Sequence, residues 1–217
     1  MCVVVIAGGP NKNIGNLLPI IKSAESIICA DSGADSLMPY NIVPDTVWGD
    51  MDSISEETVS WLKSNEVSHK LFPVEKDMTD SELCLLSVPK EKEIIFVTSL
   101  VGRLDHVMSN MLLVMRLHEE GYHIKATDGM TWVYPLLGKA SWRVSEELRK
   151  KENTCSLIPL GKGASGVSTV GMKYPLSDQS IVPGSSFTVS NEFDMTEKEH
   201  GFDMKDGTML VIVTPKV

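Results

Sequence analysis

Residues 94–121, IIFVTSLVGRLDHVMSNMLLVMRLHEEG, decide the fold. Ile94-Ile95-Phe96-Val97 is apolar on both faces, as a parallel strand covered by helices must be. From Asp105 to Glu120 the apolar residues Val107, Met111, Leu112, Val114, Met115 and Leu117 recur at helical spacing. Gly121 then supplies a helix stop. Strand, loop and long helix together read as one half of a β-α-β unit.

The same alternation extends toward the N-terminus. Val3 to Ile6, Ile27 to Ala30 and Thr46 to Trp48 are further short, β-branched runs. Ile54 to Ser64 and Thr79 to Val88 are helix-like. This order argues α/β architecture, a doubly wound and mostly parallel sheet. Beyond about residue 128 the pattern changes. Residues 129–217 hold nine of the sixteen glycines. Turn signals recur at Pro159 to Gly161, Pro183-Gly184 and Asp206-Gly207, with short strands such as Ser186 to Ser190 and a closing strand over Thr208 to Val213. That pattern reads as an antiparallel all-β unit, a β-sandwich or a barrel. The expected domains are residues 1–128, α/β, and 129–217, all-β.

Composition bounds the function. The chain has 217 residues and a net charge of −9, with 42% hydrophobic and 23% charged residues. That is ordinary for a folded globular protein. An acidic chain is a poor non-specific binder of nucleic acid or anionic membrane, so neither is expected as a partner. The first apolar run ends at Gly8-Gly9-Pro10, too short for a signal peptide and without a basic leader. No stretch approaches the roughly 20 apolar residues of a membrane span. A cytoplasmic location is expected. Cys2, Cys29, Cys84 and Cys155 form no C-x-x-C pair and read as reduced structural thiols.

In an open α/β sheet, ligands bind beyond the carboxyl ends of the strands. Those ends carry Ala7-Gly8-Gly9-Pro10, Asp31-Ser32-Gly33-Ala34-Asp35, Gly49-Asp50-Met51-Asp52-Ser53, Pro73 to Asp80 (after a strand over Lys70 to Phe72) and Thr98 to His106. One end of the sheet is therefore expected to be lined with carboxylates. Taken alone, several have structural readings. Thr79-x-x-Glu82 fits a capping box with Asp80 in the first turn, and Ser53-x-x-Glu56 fits the same device. Asp105 reads as a helix cap or a ligand, and Asp31 as a turn residue or a ligand. The pair Asp50 and Asp52 is different. In extended chain the two would point to one side and repel, which costs stability unless a cation neutralises them. Mg²⁺ takes one or two carboxylates together with substrate phosphates. Arg103 offers a planar donor fork for phosphate. Phosphoryl transfer needs this positioning and charge neutralisation more than covalent work by the protein. No Walker loop, G-x-G-x-x-G, G-x-S-x-G or zinc-spaced histidine set occurs. His106 is a weak candidate for a general base.

Taken together, the motifs resemble the thiamin pyrophosphokinase family. Asp31-Ser32-Gly33-Ala34, Gly49-Asp50-Met51-Asp52-Ser53, Lys76-Asp77-Met78-Thr79-Asp80 and Gly102-Arg103-Leu104-Asp105-His106 follow the order of its signatures. So do Ser156 to Leu160, Gly171 to Leu176 and Ser190-Asn191-Glu192. The resemblance covers nearly the whole chain. It implies transfer of the pyrophosphoryl group of ATP to the hydroxyl of thiamin, giving thiamin diphosphate and AMP with Mg²⁺, in a homodimer that binds thiamin at its interface. It implies that Asp50, Asp52 and Asp80 act at the metal. Thr79, Arg103 and Asp105 would hold the triphosphate, with Asp31 and Asp77 in the surrounding shell. Tyr174 would face the thiamin, with Ser190 and Asn191 near its pyrimidine. The family often has glycine where this chain has Ser32 and Val101, and a side chain there narrows the approach of backbone to phosphate. A pyrophosphokinase for another hydroxymethyl heterocycle, such as a pterin, and a non-catalytic thiamin or nucleotide sensor are the alternatives.

Overall fold

The computed structural model describes residues 1–70, 77–149 and 152–216. The expected strand over Lys70 to Phe72 and the motif residue Lys76 reach outside them. The chain divides into two compact units, Met1–Met130 and Thr131–Val217.

Among the described residues the first unit holds six parallel strands: β1 (Cys2–Ile6), β2 (Ser26–Ala30), β3 (Thr46–Trp48), β4 (Ser68–Lys70), β5 (Glu93–Val97) and β6 (His123–Thr127). Their order is β4-β3-β2-β1-β5-β6. Val4 sits opposite Ile27 on one side and Ile95 on the other. Val3 to Ile6 and Ile94 to Val97 are buried throughout, as two-sided coverage of a parallel sheet requires. Four α-helices connect the strands: α1 (Leu18–Lys22), α2 (Glu56–Ser64), α3 (Asp80–Leu86) and α4 (Leu104–Glu119). The chain runs outward from β1 to β4, then returns to place β5 on the other side of β1. The carboxyl ends of β1 and β5 therefore form a topological switch point, where such sheets open a crevice.

Helix starts differ from expectation by local capping chemistry. The cap of α2 is Ser55, not Ser53: its hydroxyl accepts from the Thr58 N–H and donates to Asp35. Helix α3 starts as the capping-box reading requires, with Thr79 accepting from the Glu82 N–H at 3.2 Å. The Glu82 carboxylate does not return the bond; it accepts from Arg116 at 2.7 Å. Asp105 does not cap α4. The N-cap is Arg103, whose side chain makes no capping bond to the helix backbone, and Asp105 lies in the first turn, where a negative charge is favourable. At the other end Gly121, at φ 94°, donates its N–H to the His118 carbonyl and closes the helix.

The second unit is antiparallel. Its strands are β7 (Trp132–Leu137), β8 (Ala140–Arg143), β9 (Asn153–Val170), β10 (Gln179–Ile181), β11 (Asn191–Glu192), β12 (Gly201–Met204) and β13 (Asp206–Pro215). Helix α5 (Glu146–Arg149) precedes β9. The order is β7-β13-β9-β12-β8, with β10 and β11 also on β9. Pro159 to Gly161 does not turn the chain; it lies inside β9. Gly161, Gly163 and Gly166 all have positive φ, so the glycines redirect the strand without reversing it. The early part of β9 pairs with β13, and the later part pairs with β10 and β12. Asp206-Gly207 likewise lies within β13, at an irregularity in register. Residues 186–190 are not a strand. Thr188 turns inward and exchanges hydrogen bonds with the backbone of Leu157, while Phe187 and Val189 stay exposed. One core joins these strands: Trp142, Leu157, Val167, Phe202, Met204, Met209, Val211 and Val213.

Cys29, Cys84 and Cys155 are buried, and none of the four cysteines is in a disulfide. Burial pushes the Cys29 and Cys155 thiols up, which leaves them unreactive.

Candidate active site

A cleft of about 630 Å³ opens at the switch point. Its walls come from the strand ends: Ala7 to Pro10 after β1, Ala30 to Ser32 after β2 and Thr98 to Arg103 after β5. Ser53, and Thr79 to Ser81 at the start of α3, complete it together with His106, Val107 and Asn110 of α4.

Asp31 occupies the turn that leaves β2, at φ 42°. Its Oδ1 is buried and lacks a hydrogen-bond partner. Burial first, and then the adjacent Asp80 carboxyl, raise its pKa to about 7; the Met51 N–H opposes this and Asp50 adds to it. A Cβ on Gly49 would overlap the Asp31 carboxylate, so glycine at 49 makes room for it. Asp50 and Asp52 are not in extended chain. Met51 adopts φ 67°, and the Asp52 N–H folds back onto Asp50 Oδ1 at 3.1 Å. The two carboxyls still meet: Asp50 raises the Asp52 pKa, and Asp80 adds to the effect. The turn replaces the alternation expected of a strand and brings about the same crowding.

Asp31, Asp50 and Asp80, partly buried, and the exposed Asp52 thus repel one another, and one buried oxygen of Asp31 is unpartnered. All donors are hard oxygens. Among the described residues no three acidic, histidine or cysteine side chains converge on one point. This set fits a cation that takes one or two carboxylates and fills its shell with phosphate and water oxygens, the habit of Mg²⁺.

Arg103 lines the cleft, but its fork is engaged. Nε and Nη2 donate to Asp105 at 3.2 and 2.6 Å. The pair is solvent-exposed, with 72% and 64% of the side chains accessible, so it is weak and exchangeable. Asp105, held down to about 2 by this bond, touches Arg103 and is not part of the cleft wall. Asp77 is exposed and also stands outside that wall. Ser32, at a position where glycine is common in the resembled family, accepts the Gly9 N–H at 3.3 Å and ties the β1 loop to the β2 turn. Val101 is 61% exposed at the cleft edge. Sequence reasoning missed Ser81, Ser99 and Asn110. Asn110 donates to Thr98 Oγ1 at 2.9 Å; a polar residue one turn beyond His106 was the available signal.

The conserved-domain match falls on these elements. Residues 17–126 match the family model for the thiamin pyrophosphokinase catalytic domain, and residues 143–208 match that for its vitamin B1 binding domain. The chain belongs to the thiamin pyrophosphokinase family. A thiamine pyrophosphokinase from Bacillus subtilis (strain 168) is 26% identical over 210 residues, covering 96% of each chain. A crystal structure of thiamine pyrophosphokinase from Bacillus subtilis superposes with a TM-score of 0.84 at 25% identity, covering 100% of both chains. One of thiamin pyrophosphokinase from Geobacillus thermodenitrificans shares the fold with a TM-score of 0.81 at 24% identity, covering 100% of this chain and 98% of that one.

The stretch matched to the vitamin B1 binding domain of thiamin pyrophosphokinases contains Tyr174, Ser190 and Asn191. Tyr174 is 56% exposed. The Lys173 ammonium lies 5.6 Å from its ring centroid. Glu192 holds Lys173 at 3.4 Å and Lys216 at 2.8 Å, with its own pKa lowered chiefly by Lys216. Ser190 is exposed at φ 60°, and its N–H donates to Ser156 Oγ at 2.9 Å. Asn191 is buried, with its amide turned onto the Tyr174 backbone.

Proposed function

We propose that this chain transfers the pyrophosphoryl group of ATP to the hydroxyl of thiamin, giving thiamin diphosphate and AMP. The family membership carries the activity, and both halves of the chain match. The cleft at the switch point, with Asp31 and Asp80 in its wall and Asp50 and Asp52 beside them, is the observation that supports where the nucleotide goes. No observation favours another acceptor or a sensor.

The reading assigns ATP and Mg²⁺ to residues 1–128 and thiamin to residues 129–217, in a cytoplasmic homodimer with the thiamin site at the subunit interface. Asp50, Asp52 and Asp80 act at the metal and phosphates, one or two of them on the cation itself, with the orphaned Asp31 oxygen beside them. When bound, Mg²⁺ offsets the negative charge of the phosphate oxygens. Thr79 and Arg103 hold the triphosphate, with Asp105 acting through Arg103 and Asp77 in the outer shell. Arg103 exchanges its exposed bond to Asp105 for phosphate oxygens, and its fork then offsets charge that develops in transfer. The thiamin hydroxyl attacks the β-phosphorus in line, and the bond to the AMP oxygen breaks. Tyr174 offers its exposed ring to the thiamin, with Ser190 and Asn191 alongside. Asp52→Asn tests the assignment. It removes a charge from an exposed turn, so the fold should survive while turnover falls by at least about 10²-fold. Turnover near wild type would sink the metal reading.

A further inference from the structure

Asn191 lies in β11, paired with Cys155 of β9, and is 8% exposed. Its Oδ1 accepts the Tyr174 N–H at 3.0 Å and the Glu192 N–H at 2.8 Å. Its Nδ2 donates to the Tyr174 carbonyl at 2.7 Å. A primary amide has two donor hydrogens and two acceptor lone pairs. Three of those four positions are therefore spent on the chain itself.

The segment so held has little other support. Residues 173–176 belong to no strand. They are fastened by the Lys173 N–H to the Glu192 carbonyl at 2.8 Å, by the Leu176 N–H to Thr169 Oγ1 at 2.9 Å and the Thr169 N–H to the Leu176 carbonyl at 3.1 Å, and by the Asn191 clamp between them. Asn191 thus substitutes for a strand partner, satisfying both backbone groups of one residue from a single side chain. Because the grip is on backbone, Asn191 leaves the exposed Tyr174 ring unengaged.

We propose that Asn191 is a positioning residue: it fixes the backbone of Tyr174 so that the exposed ring is presented to the thiamin, and it acts through Tyr174 without touching the substrate. This rests on the reading of Tyr174 as the thiamin-facing ring. Only an amide fits the clamp. A carboxylate keeps the accepted bonds but turns an oxygen toward the Tyr174 carbonyl.

The test is a double-mutant cycle with steady-state kinetics in both substrates. Asn191→Ala should raise the KM for thiamin about tenfold, leaving kcat and the KM for ATP within about twofold. Asn191→Asp retains both accepted bonds and so the β11 pairing; it should show the same KM-only effect and serves if the alanine variant does not fold. Tyr174→Ala removes the ring but leaves the backbone that Asn191 grips. In that background the Asn191 change should add less than about twofold. Effects that multiply would show direct substrate contact by Asn191 and overturn the proposal. An unmoved thiamin KM in the Asn191 variants, or a loss confined to kcat and melting temperature, would overturn it too. If Tyr174→Ala leaves the thiamin KM unchanged while Asn191→Ala raises it, the proposal also fails. If neither residue moves that KM, the placement of thiamin at Tyr174 fails with it.

Discussion

Asp31 shows how a single residue links structure to chemistry. Its pKa is raised to about 7 because burial and Asp80 disfavour the charged form. The folded protein then holds a proton that the unfolded chain releases near its ordinary value of 3.8. Stability contributed by that proton is full below about 4 and falls as pH rises toward about 7, since the folded state binds more protons across that window. A divalent cation should replace the proton. Mg²⁺ binding measured by calorimetry in the absence of nucleotide should therefore tighten as pH rises from 5.5 to 8, with proton release, and Asp31→Asn should flatten that slope. A pH-independent affinity in the wild type would contradict the link. The carboxylates themselves were legible in the sequence as residues following strands. Their arrangement was not. Met51 at φ 67° turns Asp50 and Asp52 out of the assumed strand, and a left-handed methionine carries no sequence signal.

At the scale of elements, caps and glycines decide what periodicity cannot. The hydrophobic pattern located α2, but the capping-box spacing placed its cap at Ser53, two residues before the Ser55 that serves. The bond from Ser55 to Asp35 at 2.9 Å is a tertiary contact, invisible locally. Ser55→Ala should destabilise the protein by about 1 kcal/mol, lowering the melting temperature by roughly 2–4 °C, with kinetics for both substrates near wild type. A change below about 0.3 kcal/mol would show that the cap is not used. In the second unit, glycines read as turns proved to lie within β9 and β13. A positive φ serves a bend as well as a reversal, and only the pairing partners distinguish the two. Phe202 of β12 is 1% exposed and stacks on Trp142 at 5.8 Å. Phe202→Ala should cost about 3–5 kcal/mol, seen in urea unfolding; a loss under 1 kcal/mol would mean that the β12 layer is not part of the core.

At the scale of the whole molecule, the strand order explains why the motifs, scattered over some 75 residues of sequence, serve one cleft. Strands β1 to β4 run to one side and β5 and β6 to the other, so loops distant in sequence end at the same edge. Alternating apolar runs made that architecture and its ligand-bearing edge readable; the switch point needed the strand order. The pairing of Arg103 with Asp105 and the clamp of Asn191 on Tyr174 depend on side-chain geometry and were beyond reach of the pattern. The central claim is the reaction itself. The most direct measurement is to incubate the purified protein with ATP, Mg²⁺ and thiamin and separate the products. AMP and thiamin diphosphate should appear together, in equal amounts, and only when the metal is present. ADP with thiamin monophosphate, or no product from either substrate, would contradict the account.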